Sequence, residues 1–295
     1  MSQRVDFDER WVDVGGVRTR YLAEGAGEPV LFIHGGHFGD TNSAECAEVW
    51  NLTIPEIARN FACFAVDRLG QGFTDPPLCD ADYTMAASVA HVAAFLQAIG
   101  IHPCHVVGHS RGGYVAARLT SDHPELVRSC TIVSSNTLAP GAASNEIVFA
   151  ANPHPPFSRE RALYVLEHYS YALAHVEEPW LEKRVQALQS KTYRAGAARM
   201  AEEMLYLTQF SPRLEADRRE LCDRLAREGL RRPTLLVWSR NDLTAPVTMA
   251  LGLFRLLAQK QPRTEMHLLN AAGHYCYRER APEFNRVLGD FLRRV

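Results

Sequence analysis

Residues 104–121 read CHVVGHSRGGYVAARLTS, an apolar run followed by the pattern G-x-S-x-G and by residues typical of a helix. In this pattern the serine, Ser110, occupies a sharp turn from a strand to a helix, which exposes its hydroxyl group. Gly108 and Gly112 lack a Cβ atom, so the turn closes without a steric clash. The pattern is common by chance, but its position at a strand-to-helix junction predicts that Ser110 is a nucleophile.

Two backbone N–H groups are predicted to stabilise the oxyanion that forms when this serine attacks a carbonyl. One belongs to Arg111, because N–H groups at a helix N-terminus favour negative charge. The other belongs to Gly36 in the sequence HGGH at residues 34–37, which follows an apolar run. His34 is expected to brace this loop through a hydrogen bond, and a simple turn at the strand end is the alternative. A phosphate-binding loop is excluded, since neither G-x-x-x-x-G-K-[ST] nor G-x-G-x-x-G is present.

Asp242 and His274 are the predicted acid and base that would activate the serine. They follow it in the chain order serine, acid, histidine that this strand–turn–helix arrangement uses. Asp242 comes just after the apolar run TLLVWS, and His274 follows a predicted strand over residues 264–269. The alternatives are a turn or N-cap role for Asp242 and a surface loop position for His274.

The remaining histidines carry weaker signals. His109 precedes the nucleophile, and its side chain alternates away from that of Ser110, so we expect it to line the pocket or pack beneath it. The sequence contains no H-E-x-x-H or H-x-H pair. We therefore predict no metal site.

The chain alternates strand and helix signals on both sides of a helical stretch. Short apolar runs rich in Val and Ile are typical of strands buried on both faces of a parallel sheet. They occupy residues 30–34, 61–67, 104–109, 130–134 and 234–239, with a predicted hairpin at residues 11–14 and 17–23 and predicted helices at residues 89–99 and 111–121. This alternation predicts an α/β fold with a mostly parallel, doubly wound sheet.

No strand signal appears from about residue 140 to residue 230. This stretch holds helix-like segments at residues 161–168, 180–189 and 197–208. We predict a helical cap over residues 140–230, inserted into a core formed by residues 1–139 and 231–295. Since the active site is expected beyond the carboxyl ends of the strands, it should lie between core and cap.

Composition excludes several classes of protein. The 295 residues are 46% hydrophobic and 22% charged, with a net charge of −2, which is typical of a globular chain. This charge gives no basic surface for nucleic acid or an anionic membrane, and the polar N-terminus carries no secretory signal. The seven cysteines show no C-x-x-C spacing, which favours free thiols in a reducing cytoplasm. A homodimer is left open.

Together these residues resemble the α/β-hydrolase superfamily over essentially the whole chain, and within it the meta-cleavage product hydrolases. The similar stretches are GGVRTRYLAEGAGEPVLFIHGG, VWNLTIPEIARNFACFAVDRLGQGFTDPP and GHYCYRERAPEFNRVLGDFL. The resemblance implies the α/β-hydrolase fold, with triad roles for Ser110, Asp242 and His274 and oxyanion roles for Gly36 and Arg111. It also implies that Arg184, at the end of VEEPWLEKR, binds a substrate carboxylate.

The sequence departs from the family pattern at positions that face the substrate. The family usually has Asn at the position of His109, Met or Phe at that of Arg111, and Trp at that of Tyr275. The segment between His37 and Trp50 is also longer and lacks the family's glycine-rich pattern. These departures leave the reaction class better supported than the substrate identity.

Arg184 and Trp180 share a helix face at spacing i, i+4, and a guanidinium beside an aromatic ring suits a carboxylate. The alternative is a surface arginine paired with Glu177, Glu178 or Glu182. The predicted substrate contacts are Arg184, His37, His109, Trp180 and Tyr275.

The resemblance implies an enzyme of aromatic catabolism that hydrolyses a carbon–carbon bond in a vinylogous diketone, with no cofactor. The substrate would be a small molecule. The alternative is a carboxylesterase or lactonase that uses the same triad. A non-catalytic ligand-binding relative is less consistent with a complete triad in order, and an aspartate-nucleophile dehalogenase or epoxide hydrolase is set aside because the turn carries Ser110.

Overall fold

A computed structural model describes residues 7–36, 38–140 and 145–295 of the chain. In this part of the chain eight strands form a single sheet: β1 (Asp8–Val14), β2 (Val17–Glu24), β3 (Glu28–Ile33), β4 (Phe61–Val66), β5 (Cys104–His109), β6 (Val127–Val133), β7 (Thr234–Ser239) and β8 (Thr264–Leu269). Each predicted apolar run overlaps one of these strands. The predicted hairpin is formed by β1 and β2, which join at Gly15 and Gly16.

The sheet has the order β1-β2-β4-β3-β5-β6-β7-β8. The pairs β1–β2 and β2–β4 are antiparallel, and all pairs from β4 to β8 are parallel. Leu31 and Ile33 pack into the core on one face of the sheet, while Val30 and Phe32 pack into the core on the other. The continuous apolar sequence therefore reflects burial on both faces, and the predicted fold class is confirmed.

Helices cover both faces. They are α1 (Ile54–Ile57), α2 (Met85–Ile99), α3 (Arg111–Asp122), α4 (Asn145–Ala150), α5 (Arg159–Tyr169), α6 (Glu178–Gln189), α7 (Lys191–Glu202), α8 (Ser211–Glu228), α9 (Val247–Ala258), α10 (Cys276–Glu279) and α11 (Ala281–Arg294). Helix α2 begins after Thr84, whose side chain accepts a hydrogen bond from Ala87 N, and ends at Gly100 in the left-handed region. None of the described helices is long and apolar enough to cross a membrane.

The described residues between β6 and β7 form helices α4 to α8 and contain no strand. Helices α5 and α6 extend the predicted segments by one to two residues at their ends. The single helix predicted over residues 197–208 is wrong in its bounds, because α7 ends at Glu202 and Met204 has a φ of 48°. A separate π-helical turn then spans Tyr206–Phe210. The division into core and cap remains a prediction.

Candidate active site

The turn between β5 and α3 holds Ser110 in a strained conformation, with φ 54° and ψ −122°. A Cβ atom on Gly108 would lie 2.1 Å from the carbonyl oxygen of Gly112, and one on Gly112 would lie 2.2 Å from that of Ile33. Only glycine therefore fits at either side of this turn. A non-glycine residue at positive φ costs about 1–3 kcal/mol and is typical of functional sites.

His274 and Asp242 form a buried hydrogen-bonded pair. Nδ1 of His274 lies 2.8 Å from Oδ2 of Asp242, and the two side chains are 3% and 0% exposed. The other oxygen, Oδ1, accepts hydrogen bonds from Thr244 N, Thr244 Oγ1 and Ala245 N at 2.8–2.9 Å. This leaves Oδ2 to fix the orientation of the imidazole ring.

These contacts also set the ionisation of Asp242. Burial by itself raises the pKa of Asp242, but the charge of His274 and the hydrogen bonds from the surrounding loop outweigh it. The pKa of Asp242 therefore lies below its usual range. An ionised carboxylate at this position stabilises a positive charge on the imidazole when the ring takes up a proton.

Ser110 and His274 line one narrow cavity of about 30 Å³. Its walls come from the loop after β3, from α3 and from α5, which contributes Val165 and Tyr169. The backbone of the helical segment is joined to that of His274, since His274 N donates a 2.7 Å hydrogen bond to Tyr169 O. The serine, the histidine and the segment between β6 and β7 thus meet at one place.

The loop that carries Gly36 is held by Arg68. Its side chain donates to the carbonyl oxygens of His34, Gly35 and Gly36, while Arg68 N donates to Nε2 of His34 at 3.1 Å. Burial lowers the pKa of His34 well below its usual range, so the ring is neutral and can accept this bond. Gly36 has a φ of 83°, and a Cβ atom there would lie 2.6 Å from Gln71 Oε1.

His109 lines the cavity and contacts His274. Its Nε2 lies 3.0 Å from the carbonyl oxygen of His274, and its Nδ1 lies 3.4 Å from the hydroxyl of Tyr277. Burial, followed by the charge of His274, lowers the pKa of His109 well below its usual range. Since a carbonyl oxygen can only accept, the neutral ring of His109 carries its proton on Nε2.

Arg184 and Trp180 do not line the cavity. Arg184 is fully buried behind three cavity-lining residues: its Nη1 lies 2.9 Å from Glu45 Oε1 and 3.2 Å from the Tyr275 hydroxyl, and its Nη2 donates to Ser43 Oγ. Its guanidinium lies 5.1 Å from the Trp180 ring. The alternative of a surface arginine paired with Glu177, Glu178 or Glu182 is wrong, because the Arg184 side chain is buried and pairs with Glu45.

Electrostatics keep this buried arginine charged. Burial alone lowers the pKa of Arg184, but the charge of Glu45 and the contact with Tyr275 raise it above its usual value. Tyr275 lines the cavity, as expected of a substrate contact. The fifth predicted contact, His37, lies outside the described residues.

Several residues at the site had no signal in the sequence. Asp40, Ser43 and Glu45 line the cavity, but they belong to a segment without periodicity or motif. The contact with Thr244 was within reach of sequence reasoning, because an aspartate side chain commonly accepts a hydrogen bond from the backbone N–H two residues further on. No cluster of three or more metal-ligating side chains occurs in the part of the chain that the structure describes.

Comparison with known proteins places this geometry in a family. The family model for the alpha/beta hydrolase fold matches residues 28–281. The chain is 30% identical to 2-hydroxymuconate semialdehyde hydrolase of Pseudomonas sp. (strain CF600), over 96% of this chain and 93% of that protein. It is 27% identical to 2-hydroxy-6-oxo-2,4-heptadienoate hydrolase of Pseudomonas putida, over 96% and 95%.

A solved structure agrees with these matches. The meta-cleavage product hydrolase from Pseudomonas fluorescens IP01 superposes with a TM-score of 0.75 at 23% identity, over 97% of each chain, which shows a shared fold. The protein therefore belongs to the α/β-hydrolase family. Within that family it is one of the meta-cleavage product hydrolases.

Proposed function

We propose that this protein hydrolyses a carbon–carbon bond in a vinylogous diketone through Ser110, His274 and Asp242. The observation that carries the proposal is the 2.8 Å contact between His274 and Asp242 beside a cavity that Ser110 also lines. The substrate class rests on the relatives, whose names specify semialdehyde and oxo-dienoate substrates.

In the first half of the reaction, His274 accepts the proton of the Ser110 hydroxyl through Nε2, because its Nδ1 is engaged by Asp242. The serine oxygen then attacks the carbonyl carbon. Asp242 holds the ring in this tautomer and stabilises the imidazolium. The N–H groups of Gly36 and Arg111 receive the oxyanion, and each such donor contributes about 3–4 kcal/mol to the transition state.

The leaving group in this reaction is a carbon atom and needs stabilisation. When the dienol substrate is first ketonised, this carbon departs as a dienolate whose charge is delocalised onto oxygen. His274 gives the proton taken from Ser110 to this dienolate, which leaves as the neutral dienol. Water, deprotonated by His274, then attacks the acyl-serine, and His274 returns that proton to the Ser110 oxygen as the carboxylic acid is released. These steps need only the triad, the oxyanion donors and water, so the proposal includes no cofactor.

The substrate contacts follow from the position of each side chain. We propose that His109 and Tyr275 touch the substrate, with His37 as a further candidate. Arg184 and Trp180 act from the layer behind, and a substrate carboxylate reaches Arg184 only when Ser43, Glu45 or Tyr275 moves. Residues 140–230 would form the cap over a core of residues 1–139 and 231–295.

The setting of the protein is part of the proposal. All seven cysteines are free thiols, which is consistent with a reducing cytoplasm. The partner is a small-molecule substrate, with no nucleic acid or membrane involved. A homodimer remains a proposal to be checked by light scattering.

The test is an absorbance screen of coloured ring-fission products beside p-nitrophenyl esters. The chromophore of a ring-fission product disappears on cleavage, whereas an ester releases p-nitrophenolate. The proposal expects a higher kcat/KM on at least one ring-fission product than on any ester. Ester hydrolysis without loss of any ring-fission chromophore would favour the carboxylesterase or lactonase alternative.

A further inference from the structure

Glu45 brings a carboxylate into the wall of the active-site cavity. The residue is 5% exposed and lines the same space as Ser110 and His274. Its Oε1 accepts a hydrogen bond from the Tyr275 hydroxyl at 2.9 Å and forms an ion pair with Arg184 Nη1, also at 2.9 Å. Its Oε2 is buried and has no hydrogen-bond partner among the described residues.

An unpartnered carboxylate oxygen in a buried site is costly. A buried polar atom without a hydrogen bond loses its interaction with water and gains nothing in return, and the loss is larger for a charged group. An ionised carboxylate has no proton to give, so only a donor can satisfy it. The ligand of this cavity is the natural source of such a donor.

Two neighbouring side chains hold the Glu45 carboxylate in position. The guanidinium of Arg184 is fully buried against it, and the ring of Tyr275 holds the same oxygen from the other side. The other charged residues that line the cavity are Asp40 and Arg111. Because Arg184 already balances the charge of Glu45, a ligand group that binds Oε2 does not need a positive charge.

We propose that Glu45 selects substrates by accepting a hydrogen bond, through Oε2, from an uncharged hydroxyl group. The inference rests on the proposed function, in which the substrate occupies this cavity. For a ring-fission product the group is its enolic 2-hydroxyl.

A purely structural role for Glu45 makes a different prediction. If the carboxylate only holds Arg184 and Tyr275 in place, its removal weakens the binding of all ligands alike. If it accepts a bond from the hydroxyl, its removal weakens the binding only of ligands that carry one. The difference between two matched ligands therefore separates the two roles.

The experiment measures dissociation constants in the Ser110→Ala variant, which cannot turn over. The ligands are a 2-hydroxy-6-oxo-hexa-2,4-dienoate and the same dienoate without its 2-hydroxyl group. We expect the hydroxylated ligand to bind about tenfold more tightly, the size expected of a hydrogen bond to a charged group. Adding Glu45→Leu, which leaves no group able to bond the hydroxyl, should reduce this preference to less than about twofold.

Three controls make the outcome decisive. Glu48→Gln alters a neighbouring carboxylate that pairs with Arg20 away from the cavity, and it should keep the preference. If Glu45→Leu does not fold, the double variant Glu45→Leu with Arg184→Met removes the buried pair as a unit. Thermal unfolding reports whether each variant is folded.

Two results would overturn the inference: equal binding of both ligands by Ser110→Ala, or a preference that survives the loss of Glu45 in a folded variant. An equal weakening of both ligands by Glu45→Leu would assign it the structural role instead. Turnover of ring-fission products by the unmodified protein tests the proposed function separately, because the binding comparison needs no turnover.

Discussion

Nδ1 of His274 lies 2.8 Å from Oδ2 of Asp242, although 32 residues separate them in the chain. The contact forms because β7 and β8 are parallel neighbours and each residue lies in the loop after its strand. The carboxyl ends of parallel strands meet at one edge of the sheet, where α/β proteins bind their ligands. Ser110, the proposed nucleophile, follows β5 at this same edge.

If these three residues act as a unit, their substitutions will not be additive. Ser110→Ala should lower kcat by at least about a thousandfold while substrate binding is retained. Combining it with His274→Ala should cost little more than either change alone, because each disables the same step. Steady-state kinetics on one ring-fission product provide the measurement. Multiplicative losses in the double variant would show that His274 is not the base for Ser110.

Gly36→Ala should disable the oxyanion loop. The added Cβ would lie 2.6 Å from Gln71 Oε1, at a backbone φ of 83° that disfavours alanine. We expect kcat to fall by about 10²–10³, the usual cost of one lost oxyanion donor. The matched control is Gly100→Ala, which has a similar φ of 69° but nothing within 4 Å of the added atom. A Gly36→Ala enzyme as active as the control would remove Gly36 from the oxyanion site.

The buried pair formed by Arg184 and Glu45 should contribute strongly to the free energy of unfolding. Arg184→Gln leaves a buried carboxylate without its cation, which should lower the free energy of unfolding by about 3–5 kcal/mol. Glu45→Gln in the same chain should recover much of this loss, because the pair is then removed together. Arg199→Gln, which breaks an exposed pair with Asp80, should change little. Urea denaturation provides the measurement. A loss of unfolding free energy in Arg184→Gln no larger than that in Arg199→Gln would contradict a stabilising buried pair.

Buried neutral histidines predict that acid destabilises the fold. Burial lowers the pKa of His91 to about 4, and burial with nearby arginines lowers that of His175 to about 3. In the unfolded chain a histidine has a pKa of about 6.5. As the pH falls below this value, only the unfolded state takes up these protons. Stability should therefore fall with decreasing pH, by up to about 1.4 kcal/mol per pH unit for each such histidine.

Urea midpoints at pH 7.5 and 5.5 measure this slope. His91→Asn removes one of the groups, so its midpoint should change less between the two pH values than that of the unmodified protein. An unchanged pH dependence in this variant would mean that His91 is protonated in the folded state.

The sheet was predictable because its strands carry a local signal. Residues buried on both faces must all be apolar, so β3 and β5 are visible as continuous runs such as VLFI and CHVV. The turn at Ser110 was equally visible in the sequence, since the close approach of Gly108 and Gly112 to backbone oxygens leaves no room for a side chain. Such requirements act on neighbouring residues and therefore leave a pattern.

The wall of the cavity was not predictable in the same way. Ser43 contacts Arg184 across 141 residues of sequence, and neither residue's neighbours indicate the partner. The resemblance of VEEPWLEKR to the family suggested that Arg184 contacts the substrate. The surroundings of Arg184, however, depend on Glu45, which belongs to a segment without a pattern. The helix bounds near Met204 were missed because nothing in the residue type of a methionine indicates its positive φ.

Product analysis in ¹⁸O-labelled water tests the central claim most directly. A 2-hydroxy-6-oxo-dienoate is incubated with the protein, and the products are identified by mass spectrometry. The account predicts equal amounts of a 2-hydroxypentadienoate and a carboxylic acid that carries ¹⁸O in its carboxyl group, and no products with Ser110→Ala. An intact dienoate under conditions where the same preparation hydrolyses p-nitrophenyl esters would contradict carbon–carbon bond hydrolysis.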